Sequence, residues 1–376
     1  MTDRPVYLEN VPAYIRTLPV YNAGLSAESV GARYGVARIA KLGSNENPYG
    51  PSPRVLEALG EAIRDIALYP DSSSDVLRAG LSHLLNVPPG LFIIGNGSED
   101  LISVVSRAFL SPGAEFVTMI PSFGLHLICG QSTGAIGRTV TVNPDFHLDV
   151  DQVIAAVNPR TRLVILSNPS NPVGTSMSVA ELRRLLDALE EKVLLVFDEA
   201  YFEYAEASGS YPDFQQVLAG SKSPWLLMRT FSKAYGLAGL RVGYGVASSA
   251  DLMDVLERVR APFNVNRLAQ IAAAAALEDP GHMRDCIHRT ILERERVRAA
   301  LEALGYHPAP SLTNFLFFDA GEDAAGLATR LLTRGVIVKP WREPGFLNFV
   351  RVSVGAPEAN DQFLAALKSA ARSVSA

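Results

Sequence analysis

One glycine-rich segment, RTFSKAYGLAGLRVGYG at residues 229–245, places Lys233 directly after Ser232 and ahead of a further cation, Arg241. A lysine amine that has lost its proton attacks carbonyl carbons, while an arginine near the hydroxyls of Thr230 and Ser232 suits an anion. Lysines are rarely buried unless they are paired, so an ordinary surface lysine on a turn is the alternative. This segment alone leaves both interpretations open.

An apolar run ends in a carboxylate. In LLVFDEAYFEY the run stops at Asp198, and Tyr201 follows three residues later. Burying a carboxylate is costly without a cationic partner or strong hydrogen bonds. We therefore expect either an acid that pairs with a cationic group, with the Tyr201 hydroxyl nearby, or an aspartate that caps a helix.

Two further turns follow apolar runs. SNPSNPVGT presents the Asn171 amide, although a plain turn stiffened by proline explains the same residues. IIGNGSEDLI sets Gly95 and Gly97 between a strand and a helix, where free N–H groups and the helix dipole favour a phosphate; a structural turn is the alternative. The third glycine of the dinucleotide fingerprint is missing, since Asp100 stands there, and no Walker motif occurs.

One ligand would use all these groups, namely a phosphorylated pyridine aldehyde. Lys233 would form a Schiff base with it, and Asp198 would keep the pyridine nitrogen protonated so that the ring withdraws electrons from a substrate carbanion. Hydroxyl groups and Arg241 would hold the phosphate.

The elements that must position these residues alternate along the chain. Short apolar runs (LFIIG, EFVTMI, RLVILSN, KVLLVFDEAY, WLLMRT and RVGYGVA) are separated by amphipathic stretches, which predicts an α/β fold with a mostly parallel sheet and helices on both faces. Active sites of such folds gather where strands end. We expect an N-terminal segment 1–45 that joins the small domain, a large cofactor-binding domain 46–265 and a smaller α+β domain 266–376.

Composition narrows the class of ligand. The chain has 376 residues and a formal charge of −5, with no Lys/Arg run that would suggest nucleic acid. Two distant cysteines indicate neither a disulfide framework nor a metal site, and we see no apolar leader or membrane span. We expect a cytoplasmic protein that acts on small molecules.

These motifs resemble the fold-type I pyridoxal-phosphate aminotransferases, and within them the histidinol-phosphate aminotransferase group. The resemblance spans nearly the whole chain, from KLGSNENPYGPSP through YPD, GNGSED, SNPSNPVGT, DEAYFEY and the Lys233 segment to NFLFF and RVSVG. It implies pyridoxal 5'-phosphate as the cofactor.

Carried over by position, the resemblance implies roles for individual residues. Lys233, Asp198 and Tyr201 would be catalytic, Phe123 would stack on the cofactor ring, and Asn171 and Tyr201 would bind its ring oxygen. The phosphate would be held by Gly97, Ser98, Glu99, Thr230, Ser232 and Arg241. Tyr69 would reach the cofactor of a neighbouring subunit, which implies a homodimer with shared sites.

On the substrate side, Arg351 matches the arginine that grips the anionic end, although an exposed strand arginine is the alternative. Tyr21 matches a tyrosine near the substrate phosphate, and Asn171 also borders the substrate. The chain departs from the group where Lys339, followed by PWREPG, replaces a second arginine. This segment also contains Trp341, and an indole would suit an aromatic amino acid as well as it suits histidinol phosphate.

The resemblance implies transfer of an amino group between histidinol phosphate with 2-oxoglutarate and imidazole acetol phosphate with glutamate. An aromatic amino-acid aminotransferase and a decarboxylase of the threonine-phosphate type are alternatives that share most motifs. A non-catalytic cofactor-binding regulatory domain is disfavoured, because the chain has no basic extension.

Overall fold

The computed structural model describes residues 6–370. The strands are β1 (Ala40–Lys41), β2 (Phe92–Gly95), β3 (Glu115–Ile120), β4 (Ile136–Thr141), β5 (Thr161–Ser167), β6 (Leu194–Asp198), β7 (Trp225–Thr230), β8 (Gly243–Ala247), β9 (Phe315–Asp319), β10 (Val336–Ile337), β11 (Lys339–Pro340) and β12 (Phe349–Ser353).

The helices are α1 (Ala13–Arg16), α2 (Ala27–Tyr34), α3 (Pro53–Ala62), α4 (Asp75–Leu85), α5 (Ser98–Phe109), α6 (Leu125–Gln131), α7 (Val150–Ala156), α8 (Val179–Ala188), α9 (Phe202–Glu206), α10 (Phe214–Ala219), α11 (Ala250–Val259), α12 (Arg267–Leu277), α13 (Pro280–Ala303), α14 (Ala324–Leu332) and α15 (Pro357–Ala370). Short 3-10 turns cover Val6–Asn10, Ile63–Asp65, Pro89–Leu91 and Ala238–Leu240. Within 6–370, no helix is both long and apolar enough to cross a bilayer.

A seven-stranded sheet has the order β2-β8-β7-β6-β5-β3-β4. β8 runs antiparallel to both β2 and β7, and the other neighbouring pairs are parallel. The predicted α/β class with a mostly parallel sheet is confirmed. The sequence patterns missed β4, because this edge strand is largely exposed and carries no apolar run.

Helices cover both faces of this sheet. Successive residues of β5 alternate between two core clusters: Leu163 and Ile165 pack with α5 and α11, whereas Val164 and Leu166 pack with α8 and α12. This period of two is what a strand buried on both faces requires.

A second layer is built from the C-terminal part. β11, β12 and β9 form an antiparallel sheet, and β1 pairs in parallel with β10. Helices α14 and α15 cover this part around its own apolar cluster. In β11 and β12, Lys339 lies opposite Arg351.

Helix α12 bears on the domain division. The boundary predicted after residue 265 assigns α12 to the smaller domain, whereas its alanines pack on α3 and α4 within the core of the large sheet. We propose that α12 belongs with the large sheet and that the smaller domain begins in α13.

Candidate active site

A cavity of about 350 Å³ lies at the carboxyl ends of β5, β6 and β7 and is closed on its other side by residues of β11 and β12. Parallel strands place their carboxyl ends at one edge of a sheet, so groups far apart in sequence meet here. The structure brings together in its lining most of the residues predicted from sequence: Tyr21, Ser98, Glu99, Phe123, Asn171, Asp198, Tyr201, Thr230, Ser232, Lys233, Arg241, Lys339 and Arg351.

Lys233 lies in the cavity wall, three residues after β7 ends. Its Nζ donates a hydrogen bond to the Ser44 carbonyl oxygen at 3.4 Å. Burial, with the charges of Arg351 and Arg241, lowers the pKa of its ammonium to about 8. The amine therefore reaches its neutral, nucleophilic form nearer to physiological pH than an exposed lysine does.

Asp198 is the last residue of β6 and is buried. Its Oδ2 contacts His126 Nε2 at 3.0 Å, and its Oδ1 accepts from the Ala200 backbone N–H at 3.1 Å. Asp198 does not occupy the N-cap of α9, where Tyr201 stands. These bonds fix the carboxylate at the cavity edge.

The sequence analysis missed His126. This fully buried residue of α6 contacts Asp198 through one ring nitrogen and the Ser122 hydroxyl through the other, at 3.2 Å. Its ring lies 5.7 Å from that of Phe123, edge to face. The three-residue spacing in PSFGLH, where the His126 backbone N–H bonds to the Phe123 carbonyl oxygen, could have placed His126 beside Phe123, but it gave no sign of the bond to Asp198.

Tyr201 depends on a residue near the N-terminus. Its hydroxyl oxygen accepts a hydrogen bond from Asn45 Nδ2 at 2.8 Å, and burial, opposed by the Arg351 charge, raises its pKa to about 12. Asn45 is held in turn by Ser353, whose Oγ donates to Asn45 Oδ1 at 2.7 Å. Asn45, which sequence reasoning gave no role, thus ties segment 40–45 and β12 to the cavity.

An anion cradle forms where α5 begins. Gly97 occupies the helix N-cap with φ of +82°, and an added Cβ would lie 2.8 Å from Arg241 Nη2. The Thr230 hydroxyl donates to Ser232 Oγ at 3.1 Å, so both hydroxyls lie together. Free N–H groups of the first helical turn, two hydroxyls and a guanidinium fit a phosphate.

Glu99 and Arg241 pair at 3.3 Å beside this cradle, and both are exposed enough for the pair to open. Asp100, which occupies the position of the missing glycine, points elsewhere: its Oδ2 accepts from the Asn96 backbone N–H and from Asn264 Nδ2.

The cavity wall formed by β11 and β12 is cationic. Arg351 is buried, donates to Asn171 Oδ1 at 2.6 Å and to the Gly43 carbonyl oxygen at 2.8 Å, and leaves its buried Nε without a partner within the described chain. Lys339 donates to the Asn22 carbonyl oxygen at 2.5 Å, and burial followed by repulsion from Arg351 lowers its pKa to about 8. Two cations and an unpaired N–H suit an anion.

Aromatic rings line the same side. The Tyr21 ring lies 5.8 Å from the Lys339 ammonium and 5.9 Å from the Phe123 ring. The Trp341 indole lies 5.9 Å from the Arg351 guanidinium. Its Nε1 donates to Glu343 Oε2 at 2.7 Å, and Glu343 is a lining residue that sequence reasoning missed.

Tyr69 is not brought to the cavity of its own chain. Its side chain is 79% exposed and stacks on the Phe263 ring at 4.8 Å. No group of three or more metal-ligating side chains that could hold an ion occurs between residues 6 and 370.

The family model for aminotransferase class I and II matches residues 37–367. The chain belongs to this family. It is 46% identical over 357 residues to histidinol-phosphate aminotransferase 3 of Rhizobium meliloti, covering 94% of this chain and 95% of that one. It is 47% identical over 350 residues to histidinol-phosphate aminotransferase 1 of Mesorhizobium japonicum, covering 92% and 94%.

A solved structure shares the fold. The histidinol-phosphate aminotransferase from Sinorhizobium meliloti, crystallised in complex with pyridoxal-5'-phosphate, superposes with a TM-score of 0.89 at 30% identity and covers 97% of this chain and 98% of its own. The resemblance to the fold-type I aminotransferases and their histidinol-phosphate group is thus confirmed.

Proposed function

We propose that this aminotransferase interconverts histidinol phosphate with 2-oxoglutarate and imidazole acetol phosphate with glutamate. The observation that carries the proposal is that one cavity is lined by a lysine with a lowered pKa, Lys233, and by two further cationic residues, Arg351 and Lys339. The relatives at 46% and 47% identity support the same substrate.

Pyridoxal 5'-phosphate fits the groups present. Gly97 leaves room for a phosphate at the start of α5, where a Cβ would fill the cradle, and Thr230, Ser232 and Arg241 supply donors. Phe123 offers a ring face, and Asp198 offers a carboxylate for a protonated ring nitrogen. When bound, this cofactor supplies an electron sink for the negative charge that develops on the substrate Cα.

Lys233 would hold the cofactor covalently until the substrate amine displaces its Nζ. The released, neutral Nζ would then accept the proton from the substrate Cα and, as an ammonium, donate that proton on the cofactor side. The pKa of about 8 keeps this group close to the range in which a base and its conjugate acid are both available.

Asp198 and Asn171 orient the reacting parts. His126 holds one carboxylate oxygen of Asp198, which leaves the acid fixed to stabilise a ring N–H. Asn171 accepts from Arg351 through Oδ1, so its amide N–H groups remain for the cofactor. The hydrogen bond between Arg351 and Asn171 thus connects the residue that binds the substrate anion to a residue that binds the cofactor.

One observation favours a second candidate, an aromatic amino-acid aminotransferase. Trp341 lines the cavity beside Arg351, and an indole packs against a phenyl ring as well as against an imidazole. In that case Arg351 would bind the carboxylate of the aromatic amino acid instead of the substrate phosphate.

A homodimer with shared sites accompanies the proposal. The segment 63–69 exposes four large apolar or aromatic side chains, as expected of an interface: Ile63, Ile66, Leu68 and Tyr69. We also propose the cytoplasm as the location, in line with two free cysteines.

The test is product identification. Purified holoenzyme is mixed with histidinol phosphate and 2-oxoglutarate, and the products are assigned by NMR. Imidazole acetol phosphate and glutamate in equal amounts support the proposal. In a separate incubation with phosphothreonine in place of histidinol phosphate, release of CO₂ without formation of glutamate would instead indicate a decarboxylase.

A further inference from the structure

Glu343 is a carboxylate in the cavity wall to which the proposed transamination steps give no role. Its Oε2 accepts from the Trp341 indole N–H at 2.7 Å and from the Ser122 backbone N–H at 3.1 Å. Both partners are neutral donors, and both bind the same oxygen. An ionised carboxylate has about four acceptor sites, so Glu343, which lines the cavity, retains acceptor capacity beyond these two bonds.

The position of Glu343 follows from the strand before it. Lys339 begins β11, and Trp341 directly follows the end of this strand, where its backbone N–H still donates to the Phe349 carbonyl oxygen at 2.9 Å. Alternation along the extended chain places Lys339 and Trp341 on the same face, and Lys339 lies opposite Arg351. Trp341 and then Glu343 therefore extend the wall beyond the two cations. The cavity carries positive charge where the substrate anion would lie and a carboxylate further along the same wall.

The environment makes this carboxylate sensitive to its partner. Burial raises the pKa of the Glu343 carboxyl, while the hydrogen bonds from Trp341 and Ser122 and the nearby His126 oppose the change. A partly desolvated acid with neutral partners is stabilised by an additional donor, most of all a cationic one.

We propose that Glu343 determines specificity by accepting a hydrogen bond from the ring N–H of an imidazole-bearing substrate, and so selects imidazole over a phenyl ring. The inference rests on the proposed function, in which Arg351 and Lys339 hold the anionic end and leave the ring to reach Glu343. A phenyl ring has no donor, so it would desolvate the remaining acceptor sites of the carboxylate without offering a hydrogen bond to them, and binding sites discriminate strongly against a ligand that lacks such a donor.

The inference also gives Trp341 a definite role. Its indole N–H is already donated to Glu343, so the indole presents a fixed flat wall to either ring. The choice between rings then belongs to Glu343, and Trp341 supplies packing that is common to both.

The test compares L-histidine with L-phenylalanine, which differ in the ring alone. For each, the second-order rate of the amino-donor half-reaction is measured by stopped-flow absorbance of the holoenzyme in wild type, Glu343→Gln and Glu343→Leu. Glutamate, which has no ring, normalises any general loss. We expect the histidine-to-phenylalanine ratio to fall about 10- to 100-fold in Glu343→Leu and by a smaller factor in Glu343→Gln, as for loss of a hydrogen bond to a charged group.

Glu343→Gln and one further variant, Trp341→Phe, separate recognition from packing. Glu343→Gln keeps an amide oxygen for Trp341 and Ser122, and Trp341→Phe keeps the ring wall while removing the indole donor. If Glu343 merely holds these partners, both rings lose rate equally in Glu343→Leu and the ratio stays constant, which overturns the inference. Glu358→Gln, an exposed acid in α15, is the matched control and leaves the ratio as in wild type.

Histidinol phosphate is tested separately so that the two proposals can fail separately. If wild type does not react with histidinol phosphate but Glu343→Leu still lowers the ratio, the proposed function is wrong and the role of Glu343 stands. If wild type reacts with histidinol phosphate and the ratio is unchanged in both Glu343 variants, the role of Glu343 is wrong and the function stands.

Discussion

At the scale of single residues, the chemistry depends on how the cavity shifts the pKa of one amine, that of Lys233. Burial disfavours the ammonium form of Lys233 and lowers its pKa, and the charges of Arg351 and Arg241 add to this effect. Both cations also bind anions in our proposal. Anion binding would therefore relieve the repulsion and make the lysine more basic when substrate is present.

Replacing Lys233 by alanine removes the proposed covalent anchor and proton carrier. We expect transamination to fall by at least about 10²–10⁴-fold, the range for a general acid–base group. Borohydride treatment followed by mass spectrometry of peptides will find no cofactor fixed to the chain. The exposed Lys192→Ala is the control, and cofactor found on another lysine of the Lys233→Ala protein would refute the assignment.

The pKa of Lys233 is predicted to depend on Arg351. Reaction of the apo-protein with pyridoxal phosphate needs neutral amine, so its rate should rise with pH and level off above about 8, the pKa of Lys233. In Arg351→Gln a cation is lost, the pKa rises, and the midpoint moves to higher pH. Arg342→Gln is the control on the cavity rim. A midpoint that stays in place in Arg351→Gln would contradict this electrostatic account.

At the scale of elements, one side of the site is formed by the segments that follow β5, β6 and β7, together with the turn before α5. The polar residues at the ends of these strands or shortly after them, Asp198 and Lys233 among them, were predictable because apolar runs end there and parallel strands share an edge. Partners that fix them were not. His126 lies 72 residues from Asp198, Asn45 lies 156 residues from Tyr201, and Glu343 lies 221 residues from Ser122.

Such pairings follow from tertiary packing, and no local pattern encodes them. The same limit explains the missed β4: its exposed edge position removes the apolar run that marks the inner strands. The roles of Tyr21 and Arg351 were predicted only through the resemblance to a family. The local sequence pattern around Arg351 is equally compatible with an exposed arginine in a strand.

The turn before α5 requires glycine at position 97. Gly97→Ala forces a side chain into a positive φ and against Arg241, so the cradle must shift. We expect the affinity of the apo-protein for pyridoxal phosphate, measured by fluorescence titration, to fall about tenfold or more, as for strain of 1–3 kcal/mol. Gly90→Ala, where a Cβ meets open space, is the matched control. Equal affinities in the two variants would argue against a phosphate at this turn.

Helix α6 is expected to act through His126 on Asp198. In His126→Asn the carboxylate loses its partner at 3.0 Å, and we expect kcat to fall about 10- to 100-fold with little change in KM, as for a hydrogen bond to a charged group. The visible absorbance band of the holoenzyme should shift as well, because the acid beside the cofactor is no longer fixed. An unchanged band and kcat would limit His126 to a packing role.

At the scale of the whole molecule, we propose that the surface around Tyr69 completes the site of a partner chain. Tyr69 and its neighbour Ile66 are mostly exposed, while Tyr69 stacks on Phe263 and is thereby held in place. An exposed tyrosine beside apolar side chains is typical of an interface.

We expect a dimer in sedimentation experiments, and Ile66→Asp should weaken it by burying an unpaired charge. A sharper check mixes two inactive proteins, Tyr69→Ala and Lys233→Ala, after reversible dissociation. If Tyr69 serves the partner subunit's site, each hybrid dimer regains one complete site and activity returns to about a quarter of wild type, since half of the dimers are then hybrids with one intact site of two. No recovery in confirmed hybrids would place Tyr69 outside the shared site.

The most direct measurement of the central claim is a single-turnover experiment on the wild-type holoenzyme. Histidinol phosphate, phenylalanine or glutamate is mixed separately with the protein, and conversion of the cofactor to its amino form is followed by absorbance. We predict fast conversion with histidinol phosphate and glutamate and slow conversion with phenylalanine. Fast conversion with phenylalanine and none with histidinol phosphate would contradict the claim and assign the cavity to aromatic amino acids.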